Sequence, residues 1–285
     1  MCGIFGVFNT EGLDFQELRN ISSMLSHRGP DDEGFVCFSK ARTSETYAGH
    51  DTPSDSQNLI PTIPWIPKSV LPIENTRAEL TFALGHRRLS IIDMTPAGHQ
   101  PMCSKGKNLW ITYNGEIYNY IEIKGELQSL GFRFYTDSDT EVLLIAYEAW
   151  GEKCLEKLNG MWAFAIFDSD KREVFISRDR FGIKPIYFNI TRKGFSFSSE
   201  VKGFTQLSDW KPVANKKKLF DFLVTGALNH DHESLYENIS QVKPGHYIKI
   251  SLNSEFDKRD VVQHQWYNLG ERVHLEKAKH KKETS

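Results

Sequence analysis

Cys2 is the residue best placed in this chain to do covalent chemistry. Loss of Met1 would leave its α-amine free beside its own thiol. An α-amine has a reference pKa of about 7.7–8.0 and a free cysteine one of about 8.5. The two groups are matched near neutral pH, so the amine can relay the thiol proton without a separate base. A small residue near a chain end can also have no role, and the residues after Cys2 decide between the two. Gly3 lets a backbone approach closely, and Ile4 to Phe8 reads as a buried strand anchoring the terminus, which is unusual for a chain end.

A second group lies in YNGEIYN, Tyr113 to Asn119. Attack on an amide creates an oxyanion that needs fixed donors, and an Asn side-chain N–H with a glycine backbone N–H suits that task. Asn114 and Gly115 are placed where a strand gives way to a turn. The competing reading is a plain Asn-Gly hairpin turn, which leaves the neighbouring Glu116 and Asn119 unexplained. A third group could hold an amino-acid head group. Arg87 or Arg88, at the start of an apolar strand, can bind an α-carboxylate through two parallel hydrogen bonds. Asp137, Asp139 or Glu141 can bind an α-ammonium. The alternatives are a solvated strand end for the arginines and a helix N-cap for Asp139.

Other polar residues are assigned lesser roles. His230 and His232 form an H-x-H loop without a third ligand nearby, so no metal site is expected. His27, His86 and His99 read as loop hydrogen-bonders, and Lys216 to Lys218 as a solvated helix start. Cys37, Cys103 and Cys154 read as small, partly buried packing residues. No C-x-x-C pair and no glycine-rich phosphate loop occurs.

The elements that must position these groups are read from periodicity. Asp14 can cap a helix bearing Leu18, Ile21, Met24 and Leu25. SHRGPDDEG is a loop, followed by a strand over Phe35 to Phe38. Residues 40–79 hold five of the eleven prolines and read as an irregular insertion, with Trp65 and Ile66 packing part of it down. Strands are expected at Leu80 to Leu84, Leu89 to Ile92 and Trp110 to Tyr113. Helices are expected at Tyr120 to Leu130 and Thr140 to Leu158, the second capped by Ser138 or Asp139. MWAFAIFD, EVFISRD, PIYFNI and GFSFSS then read as one meander of hairpins. A helix over Lys216 to Leu228 and a strand over Gly245 to Leu252 come next. From about Glu271 the chain turns into a frayed polar tail ending in EKAKHKKETS. Strands, two helices and antiparallel strands without βαβ alternation define an α+β class.

Composition narrows the function. The chain has 285 residues, 39% hydrophobic and 25% charged, with a net charge of −2. That is a globular composition, with no charge bias toward nucleic acid or membrane surfaces. With no apolar run long enough to span a bilayer and no signal-like start, a cytoplasmic location is expected.

Nine motifs stand in order: MCGIFG, SHRGPDDEG, GHRRLSIID, GHQPM, YNGEIYN, TDSDTEV, LNGMWAFAIFD, SRDRFGIKPIYF and SSEVKGF. Together, from Met1 to about Leu269, they resemble the N-terminal glutaminase domain of glutamine-dependent asparagine synthetases, the class II glutamine amidotransferases. The resemblance implies an N-terminal-nucleophile hydrolase fold, a four-layer αββα sandwich of two antiparallel sheets. It implies that Cys2, freed of Met1, attacks the side-chain amide of L-glutamine and that the thioester is hydrolysed to glutamate with release of ammonia. It assigns Asn114 and Gly115 to the oxyanion hole. It assigns Arg88, with Leu89, Ser90, Ile91 and Ile92, to the glutamine carboxylate side, Asp139 to the ammonium, and Glu116 to the pocket wall. The choice of Arg88 over Arg87 and of Asp139 over Asp137 rests on the resemblance.

The family continues into a synthetase domain that binds ATP through a Ser-Gly-Gly-x-Asp-Ser loop, which is not found here. The expected organisation is a glutaminase domain at 1–228 and a linker and tail at 229–285 leading toward that domain. ATP and magnesium are expected only there, with no cofactor or metal in this chain. Expected partners are a synthetase subunit or a second copy in a homodimer. The alternative keeps the fold as a non-catalytic, glutamine-binding or regulatory remnant.

Overall fold

The computed structural model describes residues 1–41, 43–57, 63–73, 76–77, 79–106, 108–228, 231–253, 261–274 and 277. Two sheets dominate it. The larger has eight strands, in the spatial order Ile239–Gln241, Tyr187–Ile190, Gly194–Ser198, Gly3–Asn9, Leu80–Arg88, Asp32–Ser39, Ser44–Ala48 and Ser69–Val70. The smaller has six, in the order His264–Gln265, His246–Ser251, Glu173–Arg178, Gly160–Asp168, Leu109–Ile117 and Met102–Cys103. All pairings within the two sheets are antiparallel except that of Ser44–Ala48 with Ser69–Val70.

Strand alternation sends each strand's apolar residues to two sides. Phe5 and Val7, with Phe35, Cys37 and Ala83, pack outward under the Phe15–Met24 helix and Phe204. Ile4, Phe8, Val36, Phe38, Phe82 and Leu84 pack inward against Trp110, Phe164 and Phe167 of the smaller sheet. That core continues to Val142 and Leu143 of the Asp139–Trp150 helix. The layers are therefore helix, sheet, sheet, helix, as expected for the α+β sandwich.

Asp14 caps the first helix, its Oδ1 accepting from Gln16 N at 2.7 Å, and Trp65 and Ile66 are buried. Several boundaries differ from the sequence reading. Leu80–Arg88 is a single strand, and residues 89–92 are loop, so Arg87 and Arg88 end a strand rather than start one. The insertion is more regular than expected. Ser44–Ala48 pairs with Asp32–Ser39, and Ser69–Val70 forms the sheet edge. Prolines on both sides masked this short run. The long helix stops at Trp150, where Gly151 takes a φ of 58°, and the later helix Lys216–Thr225 ends at Gly226 with a φ of 72°. Residues 269–274 are helical rather than frayed, and most of EKAKHKKETS lies outside the described residues.

The expected meander is split between sheets. Gly160–Asp168 and Glu173–Arg178 form a hairpin in the smaller sheet, whereas Tyr187–Ile190 and Gly194–Ser198 form one in the larger. The segment between them crosses from one sheet to the other. Lys218 is also not solvated: it is buried, paired with Asp231, and donates to the Leu228 carbonyl at 3.0 Å. His86 lies on a strand, buried, 3.1 Å from Thr112 Oγ1, and His99 is buried against Asp32 at 2.8 Å. His27 lies in the Ser26–Arg28 turn, 2.9 Å from Glu200. His230 lies outside the described residues. Cys37, Cys103 and Cys154 are fully rather than partly buried. No described helix is long and apolar enough to cross a membrane.

Candidate active site

The N-terminal strand runs between two neighbours, with Gly3 opposite Arg87 and Phe5 opposite Ser198. Ile4 N–H donates to Ser199 Oγ at 3.0 Å, and the Cys2 carbonyl accepts from Arg28 Nε at 3.0 Å. These bonds hold the chain end against the sheet. The Cys2 thiol lies beside the Leu89 backbone, with its sulfur 3.4 Å from Leu89 N and 3.7 Å from Leu89 O. Burial, with Asp139 acting in the same direction, pushes the thiol above its ordinary value, against the opposing pull of the Leu89 N–H, the Met1 amine and Arg88.

A cleft opens at Cys2. Of the residues singled out from the sequence, Arg88, Leu89, Ile91, Ile92, Gly115, Glu116 and Asp139 line it together with Cys2. Ser90 and Asn114 are not among its lining residues; the Ser90 N–H is bonded to Asp31 Oδ2 at 2.8 Å. The strand pleat separates the two arginines. Arg87 turns into a buried network with the Gly29 carbonyl at 3.0 Å, Asp51 at 2.8 Å and Glu33 at 3.4 Å. Arg88 turns to the cleft, where its guanidinium donates to the carbonyls of Thr95, at 3.1 Å, and Asp93. Gly98 makes this fit feasible: a Cβ there would lie 2.1 Å from Arg88 Nη2.

The three acidic candidates also part company. Asp137 is exposed and paired with Lys124 at 2.8 Å. Glu141 is buried but accepts the N–H groups of Tyr135 and Thr136. Of the three, Asp139 alone reaches the cleft. Ser138 takes over the cap, its Oγ accepting from Thr140 N at 3.1 Å, which leaves the Asp139 carboxylate free to accept from Tyr113 Oη at 2.9 Å and Ile117 N at 3.0 Å. Burial raises its pKa to about 6.

Asn114 and Gly115 are not in a turn. They lie inside Leu109–Ile117, opposite Ala163 and Trp162, so the hairpin reading fails. Asn114 is buried, and among the described residues its Nδ2 has no hydrogen-bond partner, a costly state unless something else uses that donor. Gly115 must be glycine, because a Cβ would meet the Met161 carbonyl at 2.3 Å. Tyr113, Gln100, Asp93, Gly98, Ser138 and Thr140 also line the cleft. Sequence reasoning passed over them, although Tyr113 and Gly115 share a strand face and Gln100 sits in the GHQPM motif.

The sandwich and its anchored terminus define the class first: an N-terminal-nucleophile hydrolase type of fold. A solved glutamine phosphoribosylpyrophosphate amidotransferase from B. subtilis, complexed with ADP and GMP, superposes with a TM-score of 0.60 at 18% identity, over 93% of this chain and 49% of that one. The family is given by sequence. Residues 74–267 match the glutamine amidotransferase domain family. A putative glutamine-hydrolysing asparagine synthetase 2 of Methanocaldococcus jannaschii is 31% identical over 287 residues, covering 94% of this chain and 47% of that protein. Asparagine synthetase 1 of Bacillus subtilis is 37% identical over 255 residues, covering 88% of this chain and 33% of that protein. The chain belongs to the glutamine amidotransferase family, and it spans half or less of the length of these relatives.

Proposed function

We propose that this chain hydrolyses the side-chain amide of L-glutamine to glutamate and ammonia, as the glutaminase part of a glutamine-hydrolysing asparagine synthetase. The observation that carries the reading is one cleft holding Cys2, Arg88 and Asp139 together. A thiol nucleophile, a cation for an α-carboxylate and an anion for an α-ammonium are what a free amino acid with a reactive side-chain amide requires.

In this mechanism Met1 is removed, and the Cys2 amine takes the proton from Sγ. The thiolate attacks the amide carbon, and the oxyanion draws on Asn114 Nδ2 and the Gly115 N–H. The amide nitrogen leaves as ammonia, taking up the proton that the amine holds. The remaining thioester is opened by water, with the amine again accepting a proton, to give glutamate and the free thiol. Arg88 and Asp139 hold the head group throughout, and Glu116 forms the pocket wall. Activation of aspartate by ATP and magnesium is assigned to a synthetase domain or subunit outside this chain; a second copy is the other partner considered. No disulfide joins the four cysteines, which supports action in the reducing cytoplasm.

The test is to incubate the purified chain with glutamine, aspartate, ATP and magnesium and to assay glutamate and asparagine. Glutamate alone, at a rate indifferent to ATP and aspartate, is expected. Asparagine would place the synthetase chemistry in this chain. No glutamate from a protein shown by mass spectrometry to have lost Met1 would favour the non-catalytic, glutamine-binding reading.

Two results should come from the head-group contacts. Arg88→Ala should raise KM for glutamine with a smaller effect on kcat, because the carboxylate is bound in ground and transition states alike. Arg88→Lys should restore little of it, since an ammonium cannot form the two parallel bonds. An unchanged KM in Arg88→Ala would remove Arg88 from the substrate site.

Asp139 should set an acid limb. Its carboxyl must be ionised to hold an ammonium, so kcat/KM should fall about tenfold per pH unit below about 6. Stability runs the other way. With its folded pKa raised above the ordinary 3.8, the Asp139 contribution is fully present below that ordinary value. It is lost as pH rises through about 6. Asp139→Asn removes the buried charge and should raise both KM and the melting temperature at neutral pH. A lowered melting temperature with unchanged KM would make Asp139 a structural residue.

A further inference from the structure

The strand that carries Asn114 and Gly115 also reaches the acid assigned to the ammonium. Tyr113 and residue 115 share a face of Leu109–Ile117. A Cβ on Gly115 would lie 2.5 Å from Tyr113 Cε2, so the glycine gives the ring its path across the strand. At the start of the Asp139–Trp150 helix the Tyr113 hydroxyl donates to Asp139 Oδ2 at 2.9 Å. Ile117 N, at the end of the same strand, donates to the same oxygen at 3.0 Å. Tyr113 is fixed through its backbone as well. Its N–H donates to Gln100 Oε1 at 2.9 Å, and Gln100 Nε2 donates to Thr140 Oγ1, beside Asp139, at 3.2 Å. Tyr113, Gln100, Asp139 and Thr140 are all buried, and all line the Cys2 cleft.

A phenol donates to a carboxylate only while it keeps its proton. Burial, and then the Asp139 charge, push the Tyr113 hydroxyl well above its ordinary value, so it stays protonated where Asp139 titrates. Such a donor bonds the charged carboxylate more strongly than the neutral acid. It therefore opposes the burial that raises Asp139. The other groups around this carboxyl act differently. Cys2, Arg88, Asp93 and Glu116 share the cleft with it. Glu116 adds to the effect of burial, and the N–H groups of Ile117 and Thr140 oppose it. Asp137 is committed to Lys124, and Glu141 to Tyr135 and Thr136. Among the described residues, Tyr113 is the side chain that hydrogen-bonds the Asp139 carboxylate.

We propose that Tyr113 is a positioning residue for the substrate ammonium: its hydroxyl holds the Asp139 carboxylate charged and fixed relative to Asn114 and Gly115 on its own strand. This rests on the glutaminase reading above, in which Asp139 binds the α-ammonium of glutamine. Tyr113 keeps its proton throughout and acts on the carboxylate, not on the reacting amide. The two ends of one amino acid, its ammonium and its side-chain amide, are thereby placed against a single strand.

The test is calorimetric binding of L-glutamine against pH, in a Cys2→Ala chain that cannot consume it, with and without Y113F. With Tyr113 present, affinity should fall as pH drops below about 6. Y113F keeps the ring and loses only the hydroxyl. Its midpoint should lie about one pH unit higher, the size of one hydrogen bond to a charged acceptor. Its affinity should thus be about tenfold weaker at about pH 5 and nearly equal to the parent's at about pH 8.5. Thermal denaturation gives a second measurement. The melting-temperature deficit of Y113F should widen as pH rises through about 6, where the charged acceptor appears. A loss of affinity equal at every pH, an unchanged midpoint, or failure of Y113F to fold makes the hydroxyl purely structural and overturns the proposal. A Cys2→Ala parent that binds no glutamine at any pH would instead sink the glutaminase reading, and this proposal with it.

Discussion

Cys2→Ala should eliminate glutamate release, a loss of at least about 10⁴-fold, since removing a covalent nucleophile leaves only binding and oxyanion stabilisation. The fold should survive. The residue is only partly buried, and the strand that anchors it begins at Gly3 and is held by backbone pairing on both sides. A chloroketone analogue of glutamine should label Cys2 alone. The other three thiols are at most 2% exposed and so closed to the reagent, and burial pushes Cys154 up to about 12, which leaves it almost no thiolate. Cys103→Ala and Cys154→Ala should therefore keep most activity. Peptide mapping after labelling checks both points. Modification of a buried cysteine with Cys2 untouched would remove the basis for the proposed mechanism.

Asn114→Ala should lower kcat by about 10²–10³-fold while leaving KM nearly unchanged, as for loss of one oxyanion donor. The argument rests on an unsatisfied group. Asn114 Nδ2 is buried without a partner among the described residues, and the neighbouring Gly115 N–H belongs to a residue on the cleft wall. A donor left empty in the resting protein gains its bond when charge develops on the substrate oxygen. Since alanine removes an unused group, the melting temperature should change little. Steady-state kinetics with thermal denaturation separates the cases. A change in KM alone would place Asn114 in ground-state binding, and a large loss of stability would make it a core residue.

Much of this was legible from one dimension. The apolar run Ile4 to Phe8, the Asp14 cap and the helical spacing of Leu18 and Ile21 depend on neighbours a few residues away, and the structure agrees with each. Local patterns failed where distant partners decide. Ser69–Val70 looks like proline-flanked loop until the Ser44–Ala48 strand offers it a partner. Four similar hairpin strands read as one meander because the sequence does not say where the chain changes sheets. Asn-Gly read as a turn because its usual setting is one; here the Gly160–Asp168 strand keeps it extended.

The residue types of the site were therefore present in the linear chain: a cysteine beside the terminus, an Asn-Gly pair, two adjacent arginines and a cluster of acids. Their selection was not. Arg87 and Arg88 differ by one step on a strand, and which of them meets the cleft or the Glu33 and Asp51 carboxylates depends on the face that the sheet turns toward those carboxylates. Asp139 is released for the cleft because Ser138 caps the helix and Tyr113 comes across from another strand. Residue chemistry is written position by position, whereas orientation and burial are set by contacts between segments far apart in the chain.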